Sequence, residues 1–212
     1  MDYRRPHGPP CGDPEGTVSV ATSSRLRRPG LPSGAGVRQT EAVTQRPDPT
    51  EAAPEYFDYI RRVPDGDIVR TLETQLDDLL GLVRPVTEEK SLYRYAPGKW
   101  SLRQLLSHVS DDERISAFRA FWFARGVDAP LPGFDSELVA GAAGADGIPW
   151  ARHVEEFRAV RLATLSLFRN LPAQAWSRKG VANDNPITVR ALAWFIAGHA
   201  AHHAAILREK YV

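Results

Sequence analysis

Apolar residues return every three or four positions in four stretches of this chain, with polar residues between them. Over 67–83, "DIVRTLETQLDDLLGLV", Ile68, Leu72, Leu76, Leu79, Leu80 and Val83 share one helical face, and Pro85 marks the end. Over 101–125, "SLRQLLSHVSDDERISAFRAFWFAR", Leu102, Leu105, Leu106, Val109, Ile115, Phe118 and Trp122 give a broad apolar face. Ser101 followed by Gln104 has the form of a capping box, and Gly126 stops this second helix. Over 150–171, Trp150, Val154, Phe157, Leu165 and Phe168 are expected to point inward. In the last stretch Thr188 is the expected N-cap, and Leu192, Ile196, Ile206 and Leu207 form the apolar stripe. No segment alternates as a half-buried strand would, and no internal repeat is evident. Four amphipathic helices bury their stripes most simply against one another, so the expected fold class is all-α, a four-helix bundle.

The connections are unequal. "SLYRYAPGKW" joins the first two helices as a turn-rich link. Residues 127–149 are long for a loop in a compact helical domain, which suggests a crossover between helices running the same way, or a lid. Within it, "PLPGFDSE" makes Phe134 and Asp135 candidates for the rim of a site.

Composition divides the chain. Residues 1–54 hold nine of the 17 prolines, and their sole aromatic is Tyr3, whereas all five tryptophans lie at or after position 100. Such a segment cannot bury enough apolar surface to offset the entropy of ordering. The expected organisation is a disordered tail over 1–54 and one folded domain over 55–212. Cys11 is the only cysteine, which excludes an intrachain disulfide and suggests a reducing compartment. A net charge of +1 gives no electrostatic case for nucleic acid or an anionic membrane. No apolar run approaches the roughly 20 residues of a bilayer span, and "MDYRRPHGPP" has no apolar stretch behind its basic start. A cytoplasmic protein without nucleic-acid or membrane partners is therefore expected. Phosphate-binding glycine loops, nucleophile-elbow serines and H-E-x-x-H pairs are all absent from the sequence.

Chemistry concentrates in "GHAAHH", where half of the six histidines fall within six positions. His199 and His203 lie one turn apart on the stripe of the fourth helix, about 6 Å between Cβ atoms, while His202 is turned away. The second helix has a matching inward line of Leu105, His108, Asp112 and Ile115. His108 lies seven residues from the start of its helix, and His203 seven before Lys210, so an antiparallel pairing brings them level. Buried imidazoles cost a few kcal/mol each unless satisfied. Two neutral core histidines bonded to hydroxyl or backbone groups would meet that need, and so would a metal ion taking three imidazoles at once. Asp112 could orient an imidazole, act as a base, or pair with a nearby Arg or Lys. Asp111 and Glu113 are expected to face solvent, His153 to lie at the surface or a rim, and Trp100 and Trp194 to pack the core.

"KWSLRQLLSHVSDDER" and "TVRALAWFIAGHAAHH" resemble the signatures of the DinB-like four-helix-bundle proteins. The first has a Trp before the second helix, then a histidine followed by acidic residues. The second has a helix start leading into "GH" and another histidine four residues on. The resemblance covers roughly residues 60–212. It implies one divalent metal ion (zinc, nickel, iron or manganese) held by His108, His199 and His203. The family includes enzymes that use low-molecular-weight thiols, so the resemblance implies a metal-dependent thiol S-transferase acting on a small-molecule substrate. A metal-dependent hydrolase and a non-catalytic helical module, with pairing to a second copy through an exposed helix face, are the alternatives. Three nitrogen ligands leave room for water or substrate, whereas structural zinc is usually closed by four.

Overall fold

The computed structural model describes residues 45–212. Residues 1–44 of the expected tail, with Cys11, lie outside the described residues. The described helices are α1 (Phe57–Ile60), α2 (Ile68–Val83), α3 (Leu102–Ala124), α4 (Ser136–Ala142), α5 (Trp150–Arg169) and α6 (Val189–Lys210). The four helices predicted from periodicity are α2, α3, α5 and α6, and they form a bundle. Their starts follow local chemistry. Asp67 accepts from the Val69 and Arg70 amides, Ser101 and Gln104 complete the reciprocal capping box, and Thr188 accepts from the Ala191 amide.

Both α2 and α3 pack on α5 and α6, and so face each other across the diagonal of the bundle. At the end of α6, the Tyr211 hydroxyl donates to the Trp100 carbonyl just before α3, at 2.6 Å. At the far end Arg178, shortly before α6 begins, donates to the Ala124 carbonyl. Thus α3 and α6 are antiparallel. Ser101 donates to Asp146 at 2.5 Å, and Arg114 pairs with Glu156 at 2.6 Å, so α3 and α5 start at the same end and run parallel. The long 125–149 connection is the crossover this requires. It is structured: it carries α4, and its Leu131 amide donates to the Val181 carbonyl at 2.9 Å.

Four expectations are corrected. No strand is expected from the apolar pattern, yet β1 (Lys179–Ala182) and β2 (Asn185–Thr188) form an antiparallel hairpin. Each strand has only four residues, too few for alternation to register. The link is a two-residue turn with Asn183 and Asp184 both at positive φ, as tight hairpins prefer. Gly180 sits against the Phe123 ring, and a Cβ there would overlap it.

Second, the inward face of α3 shifts along the helix. Phe118 is 46% exposed, while Glu113, Ser116, Arg119, Ala120 and Phe123 are buried. Packing against two neighbours selects the line 109, 113, 116, 120, 123, and polar groups tolerate burial there because they have partners. Glu113, expected in solvent, binds Arg161 through both carboxylate oxygens at 2.8–3.0 Å. Arg161, itself fully buried, also donates to the Leu72 carbonyl and to Gln75, and Gln75 donates to the Ala197 carbonyl at 2.9 Å. One polar chain therefore ties all four bundle helices together at mid-height.

Third, residues 45–54, assigned to the tail, are packed on the domain. The Arg46 guanidinium lies over Trp194 at 4.9 Å and donates to the Ile60 and Val63 carbonyls at 2.9 and 2.6 Å. Glu51 accepts from the Thr188 hydroxyl at 2.8 Å and pairs with Arg190. The folded body thus begins before residue 55. Composition hid this, because two charged side chains, and not an apolar stripe, fasten the segment.

Fourth, His153 is 1% exposed, so it belongs to neither the surface nor a rim. Its Nε2 bonds the Ala145 carbonyl at 3.0 Å beneath the crossover, while its buried Nδ1 has no partner.

Candidate metal centre

The antiparallel crossing of α3 and α6 brings His108, His199 and His203 together, all three buried. The Nε2 atoms of His108 and His203 each lie 3.1 Å from Nε2 of His199. Heptad-like spacing puts His199 and His203 on one face of α6, and the crossing sets His108 opposite them. Burial, followed by the neighbouring imidazoles, pushes every pKa down: His108 to about 4, His203 to about 3, and His199 well below its ordinary value. All three rings are therefore neutral at pH 7, each with one nitrogen lone pair.

These residues fit a metal ion better than they fit each other. Without one, Nε2 of His199 faces two nitrogens at 3.1 Å and has, in either tautomer, only one proton or one lone pair to share between them. Nitrogen ligands about 2.0–2.1 Å from a divalent ion lie roughly 3.0–3.4 Å apart, and the two spacings to His199, at 3.1 Å, fall in that range.

Asp112 stands one turn below His108, with Oδ2 3.5 Å from Nδ1 of His199 and no hydrogen-bond partner of its own. That distance is long for a hydrogen bond but within reach of charge attraction. Burial pushes the Asp112 carboxyl up to about 7; Arg119 opposes this, and Glu113 and Asp111 add to it. Asp111 is half-buried and pairs with Arg114 at 3.1 Å. His202 is half-buried on the far side of the stripe, its ring 4.9 Å from that of His203, and it does not join the converging set.

Aromatic rings wall the cluster. Trp100 packs against His108 at 4.8 Å, so it borders the site as well as the core. Tyr59 and Phe195 lie 5.4 and 5.8 Å from His199. Trp194 is fully buried, as expected. A cleft of about 230 Å³ reaches His203 from outside, bordered by Tyr95, Lys99, Trp100, Glu137 and Tyr211. The rim expectation at Phe134 and Asp135 is displaced. Asp135 caps α4 by accepting from the Leu138 amide at 3.0 Å, and Phe134 lines a separate groove with Ser107 and Arg114. The helix that Asp135 starts presents Glu137 to the cleft instead. Tyr59, Tyr95, Tyr211 and Glu137 carry no periodic or motif signal that would single them out in the sequence.

The fold and the cluster define a helical bundle with a three-histidine candidate metal centre. The chain belongs to the DinB superfamily, whose sequence model matches residues 71–207, a span that contains all three histidines. The segment carrying α1 and Tyr59 precedes that match. Among solved structures the chain is similar to one described as "YfiT from Bacillus subtilis is a probable metal-dependent hydrolase with an unusual four-helix bundle topology". The two share 18% identity with a TM-score of 0.58, over 79% of this chain and 94% of that one, which shows a common fold. No curated protein matches the chain. No helix among the described residues is long and apolar enough to cross a membrane.

Proposed function

We propose that the protein is a divalent-metal-dependent enzyme acting on a small molecule, with His108, His199 and His203 holding the ion. The observation that carries this reading is the convergence of three buried, neutral imidazoles, one of which, His203, lines an open cleft. A divalent ion held there supplies Lewis acidity, which lowers the pKa of a water or thiol beside it. The chain's own groups prepare the site. Burial keeps the imidazole lone pairs free of protons, and Asp112 faces the outer nitrogen of His199, favouring the tautomer whose Nε2 points inward. Trp100 and Tyr59 pack on the flanks of the cluster, and the cleft opens on its His203 side.

Hydrolysis is the reaction class we place first. A cleft of about 230 Å³ holds one small molecule and leaves water as the second reactant. The neighbour of the same fold is described as a probable metal-dependent hydrolase, which points the same way. Thiol S-transfer, implied by the sequence resemblance, needs a low-molecular-weight thiol and an electrophile in the same space. Among the described residues there is no cysteine, so that thiol would come from outside the folded body.

The test is metal content per chain by elemental analysis, on protein purified without an affinity tag, for wild type and His203→Ala. Near-stoichiometric metal that falls at least tenfold in the variant supports the reading. Absence of bound metal in the wild type, even after incubation with zinc, nickel and manganese, overturns it. Turnover of an ester and amide panel, with and without an added low-molecular-weight thiol, then separates hydrolysis from thiol transfer.

A further inference from the structure

The cleft that ends at His203 carries two opposite charges that do not meet. Lys99 approaches from the turn before α3, and Glu137 from α4 in the crossover. Both are exposed, and among the described residues neither has an ion-pair partner. They border the same small space yet stand too far apart to pair with each other. Charges near the start of α3 behave differently: Arg94 pairs with Asp146 at 2.5 Å, and the buried Arg103 with Glu88. Between Lys99 and Glu137 the walls are apolar or aromatic, formed by Trp100, Leu105, Ile206 and the Tyr95 and Tyr211 rings. The Tyr211 hydroxyl is committed to the Trp100 carbonyl, which leaves its ring as a fixed wall.

Size narrows the occupant. A volume of about 230 Å³ falls below the roughly 300–1,000 Å³ of drug-sized sites. That is the bulk of a single amino acid with a large side chain. A neutral apolar molecule would fill the walls but leave both charges to water. An anion or a cation alone would meet one partner and one like charge. A zwitterion would meet Lys99 with its carboxylate and Glu137 with its ammonium, burying its apolar body between the rings.

We propose that this cleft selects an amino-acid-sized zwitterion with an apolar or aromatic side chain, with Lys99 and Glu137 as the specificity-determining residues. This rests on the metal-dependent reading of the same site for its catalytic meaning, but binding in the cleft is measurable without it.

The experiment uses the full chain and three probes of one shape: phenylalanine, 3-phenylpropionate and phenethylamine. Binding is read from tryptophan fluorescence, since Trp100 lines the cleft, and confirmed by calorimetry. Phenylalanine is expected to bind at least tenfold more tightly than either singly charged probe. In Lys99→Gln its advantage over phenethylamine disappears, and in Glu137→Gln its advantage over 3-phenylpropionate disappears. Both positions are exposed, so folding is not at risk, and a melting curve checks it. Equal binding of the three probes, or no binding of any, overturns the proposal. Metal content measured on the same samples separates the two readings. Discrimination without bound metal upholds the zwitterion site and fails the metal centre, whereas bound metal without discrimination does the reverse.

Discussion

The Tyr59 carbonyl rests directly on Gly198, so closely that a Cβ at 198 would collide with it. This contact lets α1 lie against α6 one residue before His199, and it sets the Tyr59 ring 5.4 Å from that imidazole. A glycine beside a candidate ligand thus admits a wall of the site from a segment that precedes the superfamily match.

Gly198→Ala should therefore be destabilising although alanine is the better helix former. Overpacking of this kind costs about 1–3 kcal/mol, and for a chain of this size each kcal/mol lowers Tm by about 2–4 °C. Gly81→Ala is the control: it is a helical glycine in α2 with open space around it, and it should raise stability by about 0.5–1 kcal/mol. Thermal melts of the two variants decide the matter, and equal shifts would remove the close approach as a constraint.

Asp112→Asn should leave the fold intact, since the carboxylate oxygen nearest His199 has no hydrogen-bond partner to lose. Its expected effect is on metal retention. Carboxylates behind a ligating imidazole are worth about 10–100-fold in affinity. Competition against a chromophoric chelator measures this, and an unchanged affinity would mean that Asp112 does not act on His199.

Acid should weaken the chelator-stripped protein, and the sign follows from proton counts. Folded His108 and His203 stay neutral down to about 4 and about 3, and His199 is also held low, whereas an unfolded histidine protonates near 6.5. Between those limits the unfolded chain binds more protons at three sites, so stability falls with falling pH. Asp112 works the other way. Folded, it keeps its proton up to about 7, against 3.8 for the free side chain, so its contribution falls as pH rises through that window. Three histidines outweigh one aspartate, and Tm without metal should be lower at pH 5 than at pH 7. A flat or inverted profile would contradict the burial of neutral imidazoles.

Glu51→Ala removes the acceptor of the Thr188 hydroxyl and the partner of Arg190 at the start of α6. Hydrogen bonds to a charged group contribute about 1.5–3 kcal/mol, so urea unfolding should show a loss within that range. No change would return residues 45–54 to the tail that composition alone suggested.

Much of the bundle was legible before any coordinates. Leu72, Leu76 and Val83, and Leu192 and Ile196, mark buried faces because helical periodicity is a local property, and Ser101 and Thr188 mark starts because capping is local too. The pair His199 and His203 was legible for the same reason, and equal depth along two helices suggested His108 opposite them. Other features were not. Glu113 reads as a surface acid until Arg161, 48 residues away, supplies its two bonds. Phe118 reads as core until the packing of α5 and α6 on α3 chooses another line. Tyr59 and Glu137 reach the site through a close backbone approach and a crossover, and Lys99 faces Glu137 across the cleft only because of that crossover, so all three depend on how distant segments meet. Periodicity and capping are written within a few residues of chain and survive without partners. Burial of a charge, the wall of a cleft and the spacing between two opposite charges exist only once separate helices are in contact.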